Sequence, residues 1–298
     1  MRVEVKVPAT SANMGAGFDT LGIALNLYNK ITVEEIEKGL EIQTLNKGYV
    51  PRDERNLIYR AIMTLFDYVG YTPKGLKITQ NSEIPMTRGL GSSSACIVGG
   101  MLCANVISGR KLNYNEIINL ASHMEGHPDN VGPAMYGGFC VSLIEDDKTI
   151  VKSIKVNPNI RFALMIPNYF VSTRQSREAL PDYVSFNDAV YNISHASMLQ
   201  AAFVSGDTKC LKYGVRDKLH QPYRKGIVEG IDEIFNTSYE LGSCATYLSG
   251  SGPTISSILD GEYDDFKKGM KSYFSEKSLE WDCKIVEINN VGSILRVF

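Results

Sequence analysis

The sequence predicts an α+β protein in two parts, and three observations carry that expectation. The first is length: 298 residues is about twice an ordinary domain, enough for one large domain or two of middling size. The second is the order of patterns, in which strand-like runs often follow one another directly instead of alternating with helices as in a regular parallel sheet. The third is composition, since 44% hydrophobic and 21% charged residues are typical of a folded chain with a substantial core. Lys and Arg number 31 against 33 Asp and Glu, a net charge of −2. That balance argues against nucleic acid or an anionic membrane as the main partner. We divide the chain into parts 1–155 and 156–298.

The first part opens on Met1–Val7, where apolar and charged residues alternate as in a half-exposed strand. This stretch lacks the continuous apolar core of a signal peptide. Strand-like runs follow at 23–36 and 40–45. The spacing of Leu57, Ala61, Leu65 and Tyr68, with Ile58, Ile62 and Val69 beside them, predicts a helix from Asn56 to Tyr68. Residues 75–79 read as a strand. Residues 93–107 are almost wholly apolar and predict a helix buried on most sides. The next helix starts at Asn113, where Asn113 and Glu116 have capping-box spacing, and runs to Glu125. Phe139–Ile144 is a strand.

Strands near 149–156 and 160–166 open the second part. A polar segment (172–178) and a helix near 187–204 follow. Around 243–259 the pattern is strand, Gly-rich turn, strand, and a helix near 264–274 precedes a final strand near 283–289. The six cysteines form no CxxC pair and sit mostly in apolar runs, so they read as buried reduced thiols. No run approaches the roughly 18 apolar residues of a membrane helix. A reducing cytoplasm is the expected setting.

Chemistry concentrates in a few segments. Pro85-Met86-Thr87-Arg88-Gly89-Leu90-Gly91-Ser92-Ser93-Ser94-Ala95 leads directly into the apolar helix. Glycines let backbone approach an anion closely, and serines add hydroxyl donors to the free N–H groups and positive dipole end of a helix start. This is a cradle for a polyphosphate, although it matches neither GxxxxGK[ST] nor GxGxxG. Taken alone, Pro8–Asp19, with Gly15, Gly17, Asn13 and Asp19, is a connecting loop able to line a cleft. In Glu125-Gly126-His127-Pro128-Asp129-Asn130, Glu125 suits a hard cation such as Mg2+ bridging phosphates, with a serine hydroxyl as second ligand. His123 and His127 are four apart but lack the HExxH order, and Gly126 and Pro128 interrupt the helix such a zinc site needs. Tyr247–Thr254 is a hairpin turn. Arg177 and Arg224, with Thr173, offer planar forks for a carboxylate or ordinary surface charges.

Together and in this order, these segments resemble the GHMP kinase superfamily (galacto-, homoserine, mevalonate and phosphomevalonate kinases), whose three motifs match 8–19, 85–95 and 247–254. The wording of 8–13, 125–130 and His220-Gln221-Pro222-Tyr223-Arg224 is similar to the homoserine kinases among them. Met14 in place of Leu and Ser94 in place of Ala are small departures. The resemblance implies a two-domain fold, with an N-terminal domain like the second domain of ribosomal protein S5 and a ferredoxin-like C-terminal domain. It implies ATP as co-substrate, with its phosphates on Pro85–Ala95 and a syn adenine near Asn56. Ser93 and Glu125 would hold Mg2+.

For the acceptor it implies L-homoserine, with Asn13 and Asp19 at its hydroxyl and amino ends and His127, Asn130, Thr173 and Gly252 around it. Arg177 and Arg224 would take its carboxylate. Asn13, Asn130 and Glu125 are the implied catalytic set. Asn130 stands where a related kinase can carry a carboxylate base, and an amide cannot take a proton at neutral pH. Positioning and charge neutralisation are therefore the implied mechanism, which a loose phosphoryl-transfer transition state tolerates. Family members are often dimers, which makes a homodimer an open expectation. The competing expectations are a kinase of another small alcohol, a non-catalytic nucleotide-binding protein of the same fold, and a metal hydrolase built on His123 and His127.

Overall fold

The computed structural model describes residues 1–45, 50–261 and 263–298. Two antiparallel-rich sheets organise it. The first contains β1 (Arg2–Ala12), β2 (Leu21–Glu35), β3 (Gly39–Thr44), β4 (Gly75–Ser82), β5 (Phe139–Glu145) and β6 (Lys148–Ile154). Its main path also includes the last strand of the chain, Ile294–Val297, beside β1. β3 and β4 run parallel, and the other neighbours antiparallel. β1 skips two residues of β2 at Pro8/Ala9, a bulge that bends the strand where it approaches the site.

The helices of this part are α1 (Leu57–Val69), α2 (Ser92–Ile107), α3 (Tyr114–Glu125) and α4 (Val131–Tyr136). Asn56 caps α1, its Oδ1 accepting from the Ile58 and Tyr59 amides. The expected capping box of α3 is complete, with Asn113 and Glu116 bonding reciprocally. In α2 every residue from Ser94 to Ile107 is buried, so this helix is the axis around which β1, β2, α1 and α3 pack.

The second sheet has the order β10–β7–β9–β8, built from β7 (Ile160–Pro167), β8 (Ala245–Leu248), β9 (Ile255–Asp260) and β10 (Trp281–Glu287). Between β7 and β8 lie α5 (Thr173–Glu178), α6 (Phe186–Ser205), α7 (Leu211–Gly214), α8 (Gln221–Arg224) and α9 (Ile231–Glu240), and α10 (Tyr263–Glu276) joins β9 to β10. A βαββαβ order with this strand sequence is the ferredoxin-like arrangement. Ala163, Met165, Ile234, Phe266 and Met270 form a core of its own on this sheet.

Two expectations of organisation change. The strand near 149–156 does not open the second part, because β6 pairs with β5 in the first sheet. The strand near 283–289 does not close the chain, because β11 (Ile294–Val297) pairs with β1 from Val3 to Lys6. The last strand therefore returns across the division placed at 155. Its four residues, three of them apolar, are too short a run for any periodicity to announce it.

Candidate active site

Four loops that are far apart in sequence meet at one end of the two sheets. The β1–β2 hairpin tip carries Asn13–Asp19, the β4–α2 turn carries Met86–Ser93, the α3–α4 turn carries His127–Asn130, and the β8–β9 hairpin carries Ser249–Gly252. They are pinned by direct bonds. The Thr10 amide donates to the Leu90 carbonyl at 3.2 Å, and the Gly250 amide donates to the Ala12 carbonyl at 3.0 Å. Ser249 Oγ donates to the Gly89 carbonyl at 2.7 Å, and Ser11 Oγ meets both Tyr247 Oη and Ser249 Oγ at 2.8 Å.

Glycine is required where these loops touch. Gly91 has φ +68°, and a Cβ there would lie 1.8 Å from Thr10 Oγ1. Gly15 has φ +78°, and a Cβ would lie 2.0 Å from the Val215 carbonyl oxygen. Asn13, Met14, Asp19 and Thr87 also adopt positive φ. Half of the positive-φ non-glycine residues among the described ones thus lie in these loops, where surrounding structure holds them in place.

The cleft encloses about 290 Å3. At one end it is lined by Val50, Pro51, Asn56, Leu57, Ile58, Gln80 and Cys96, an apolar slot with two side-chain amides. The middle is Met86–Ser93. Gly91 is the N-cap of α2 and supplies no side-chain cap, unlike Asn56 on α1 and Asn113 on α3. The first amides of a sixteen-residue buried helix are thus left for a ligand, with the dipole behind them. Ser93 Oγ donates to Glu125 Oε2 at 2.8 Å and Ser94 Oγ to Oε1 at 2.7 Å. A carboxylate and a hydroxyl beside the uncapped helix start form an all-oxygen donor set of the kind a hard divalent cation takes. Arg88 bonds the Met86, Pro167 and Asn168 carbonyls, tying the cradle to the end of β7.

The other end is charged. Asp19 receives Arg177 through Nη1 at 3.1 Å and Nη2 at 2.8 Å. Arg224 is buried. Its Nε donates to the Ser176 carbonyl at 3.2 Å, and its Nη1 to the Gly250 carbonyl at 3.2 Å and to His220 Nδ1 at 3.1 Å. Burial, and next the charge of Arg177, pull Arg224 down to about 10, so it stays cationic at neutral pH. Both guanidinium groups lie over the Phe18 ring, at 5.6 and 5.4 Å. His220 is fully buried, its pKa lowered chiefly by that burial. Its Nε2 faces the Gly15 carbonyl at 2.8 Å, so the neutral ring carries its proton on Nε2 and accepts from Arg224 on Nδ1.

His127 Nδ1 meets Asp129 Oδ1 at 2.5 Å. Burial lowers the His127 pKa, but Asp129, with Glu125 and Asp19 beyond it, reverses the sign and raises it overall. Asn130 Oδ1 accepts from Thr10 Oγ1 at 2.6 Å. Asn13 donates from Nδ2 to the Gly250 carbonyl at 2.9 Å and accepts at Oδ1 from the Asp19 amide at 3.0 Å. Ligand atoms of Asp19, His127 and Asp129 lie within 4.8 Å of one another, making this end a place for positive charge.

The structure therefore gathers Asn13, Asp19, Asn56, Met86–Ser93, Glu125, His127, Asn130, Thr173, Arg177 and Arg224 around one cavity. Four expected contacts are not on its wall. Ala95 is buried in the core, Ser94 is buried under Glu125, and Pro85 faces a neighbouring groove. Gly252 shapes the turn from behind, its amide bonded to the Ser249 carbonyl at 2.8 Å, while Gly250 and Ser251 take the wall. His123 is exposed and faces Asp147 at 3.9 Å, so it does not join His127. Sequence reasoning gave no role to Phe18, Gln80, Cys96 and His220. Only the wording of 220–224 was a signal, for the last of them.

The residues 56–138 match the family model "GHMP kinases N terminal domain", and 188–275 match "GHMP kinases C terminal". The chain belongs to the GHMP kinases, ATP-dependent small-molecule kinases. Homoserine kinase of Clostridium beijerinckii is 45% identical over 98% of both chains. That of Caldicellulosiruptor saccharolyticus is 46% identical over 98% of this chain and 96% of the relative. A crystal structure of homoserine kinase from Cytophaga hutchinsonii superposes with a TM-score of 0.89 at 27% identity, covering 99% and 97% of the two chains. Within the GHMP kinases, the chain falls in the homoserine kinase family. A mevalonate kinase shares the fold, with a TM-score of 0.71 at 16% identity. No helix among the described residues is long and apolar enough to cross a membrane.

Proposed function

We propose that the protein transfers the γ-phosphoryl group of ATP to the side-chain hydroxyl of L-homoserine, forming O-phospho-L-homoserine for threonine synthesis. The observation that carries the reading is the charge layout beside the phosphate cradle. Arg177 is paired with Asp19 while Arg224 lies buried nearby. A zwitterionic amino acid brings both opposite charges to this end: its ammonium suits the Asp19 side and its carboxylate suits the two guanidinium groups. A neutral sugar offers neither charge.

ATP lies with its adenine in the apolar slot near Asn56 and its phosphates on the uncapped start of α2. Ser93 and Glu125 would hold Mg2+, which would neutralise charge on the phosphates. Asn13 and Asn130 flank the hydroxyl. Both amides are already held by protein partners, so they orient the acceptor rather than deprotonate it. The nearby carboxylate, Asp129, is occupied by His127.

A coupled ADP-release assay across homoserine, mevalonate, galactose and shikimate tests the reading. Release that needs both Mg2+ and homoserine is expected. ADP formed equally well with mevalonate or galactose points to another alcohol, and no acceptor-dependent ADP points to a non-catalytic nucleotide binder.

A further inference from the structure

Behind Arg224 stand Asp217 and His220, whose side chains have no exposed surface. Asp217 is taken up by the chain around it. Its Oδ1 accepts from Asn192 Nδ2 at 2.8 Å and from the Leu219 amide at 2.9 Å. Its Oδ2 accepts from the His220 and Gln221 amides at 3.0 and 2.6 Å. Four N–H donors fill the carboxylate and fix the segment that leads into α8. Asn192 also donates to the Ala16 carbonyl at 3.1 Å, which ties this segment to the loop of Asn13 and Asp19. His220 Nε2 lies 3.6 Å from Asp217 Oδ2, too far for a hydrogen bond, and faces the Gly15 carbonyl at 2.8 Å instead.

The imidazole is thus a donor to one wall of the acceptor end and an acceptor from another. Its Nδ1 takes Arg224 Nη1 at 3.1 Å. Its ring lies 5.4 Å from Phe18, over which both guanidinium groups sit. A guanidinium only donates, so a buried one needs acceptors wherever water cannot reach it. Those of Arg224 are the Ser176 and Gly250 carbonyls and this imidazole, none of them an anion. The charge of Arg177, by contrast, is met by Asp19. A carboxylate at position 220 would grip Arg224 more tightly and cancel the charge that a substrate anion seeks, while a cation there would repel it. An apolar side chain would take away one of the acceptors that set its plane.

We propose that His220 is a positioning residue for carboxylate recognition: a neutral acceptor that holds Arg224 at the cleft wall without cancelling its charge, and that fastens it to the loop presenting Asn13 and Asp19. This role rests on the reading of the acceptor as an amino acid, since a neutral alcohol would not call on Arg224. His220 itself touches no substrate. Its effect therefore falls on binding of the carboxylate and spares ATP at the other end.

Steady-state kinetics of two variants separate this role from packing. His220→Leu keeps the bulk of the side chain and removes the acceptor, whereas His220→Asn keeps an acceptor near the place of Nδ1 and leaves a void. His220→Leu is expected to lower kcat/KM for homoserine at least about tenfold, chiefly through KM, while the KM for ATP stays within about threefold. His220→Asn is expected to recover most of that loss although it melts at a lower temperature. On the carboxamide of homoserine both variants should match the wild type within about threefold. In the wild type itself, proton–nitrogen NMR correlations at neutral pH, with the His220 signals assigned by their loss in His220→Asn, should show a proton on Nε2 and none on Nδ1. The proposal is overturned by a His220→Leu enzyme as active on homoserine as the wild type, by His220→Asn no better than His220→Leu, by an equal loss on the carboxamide, or by a proton on Nδ1. A wild type without homoserine-dependent ADP release overturns the reading of the acceptor as well; with that release intact, those results overturn the role of His220 alone.

Discussion

Arg224→Ala tests the acceptor site most directly. The side chain is buried and makes three hydrogen bonds to protein atoms. Its Nη2 makes none among the described residues, and the residue lines the cavity. If that nitrogen receives the substrate carboxylate, truncation leaves the anion only Arg177, which Asp19 already holds, a loss of about 3 kcal/mol by analogy with buried charge pairs. At about 1.4 kcal/mol per tenfold, kcat/KM for homoserine falls roughly 150-fold. The KM for ATP, proposed to bind at the far end, is expected to stay within about threefold on the same scale. The lost internal bonds also cost stability, about 1 kcal/mol each, so the assay belongs at 25 °C with folding checked by a melt.

A substrate-side control separates the carboxylate contact from general damage. The wild type acting on the carboxamide of homoserine should lose a similar factor, and Arg224→Ala should then lose little more with the amide. Arg224→Lys should not restore activity, because an ammonium cannot reproduce the planar fork that reaches Ser176, Gly250 and His220 together. An Arg224→Ala enzyme with an unchanged KM for homoserine, or one equally impaired on acid and amide, would refute the reasoning.

Other outcomes follow from the same geometry. Gly91→Ala forces a Cβ to within 1.8 Å of Thr10 Oγ1 at a positive φ, and nucleotide binding by calorimetry should weaken at least tenfold; unchanged affinity means the start of α2 is not the phosphate cradle. Asn130→Ala should lower kcat more than Asp129→Asn, and an Asp129→Asn enzyme slowed by several orders of magnitude would make Asp129 the proton acceptor. The His127 pKa is raised in the folded chain, so its attraction to Asp129 stabilises fully below its ordinary 6.5 and fades as pH rises through the folded value. The stability gap between wild type and Asp129→Asn in urea should accordingly be widest near pH 6 and narrow in alkali; a gap that widens with pH contradicts the pairing. Burial pushes Cys96, Cys140 and Cys283 up to about 12, so a thiol reagent should modify Cys210 and Cys244 first, as mass spectrometry of the native protein can show.

Much of the local structure was legible because its causes are local. The capping box at Asn113 and Glu116 needs residues three apart, and the apolar run of α2 announces its own burial. The Gly- and Ser-rich start of α2 was readable for the same reason: glycines, serines and a helix start are contiguous. The acceptor end was only partly readable. Arg177 and Arg224 could equally have been surface charges, and their functional reading came from family resemblance rather than from spacing. The thiols were read as mostly buried, and four of the six are, while Cys210 and Cys244 are partly exposed.

What the chain alone determined, then, was most of the longer elements, a Gly- and Ser-rich helix start and the chemical types available to it. Only the folded molecule decided that Asp19 and Arg177, 158 residues apart, would hold each other, that β11 would return to β1, and that Gly252 would stand behind the cleft wall rather than on it. Capping, periodicity and turn chemistry act over a few residues and leave their mark in sequence. Contacts between distant loops depend on strand register and on how two sheets meet, and no short stretch of chain encodes that meeting.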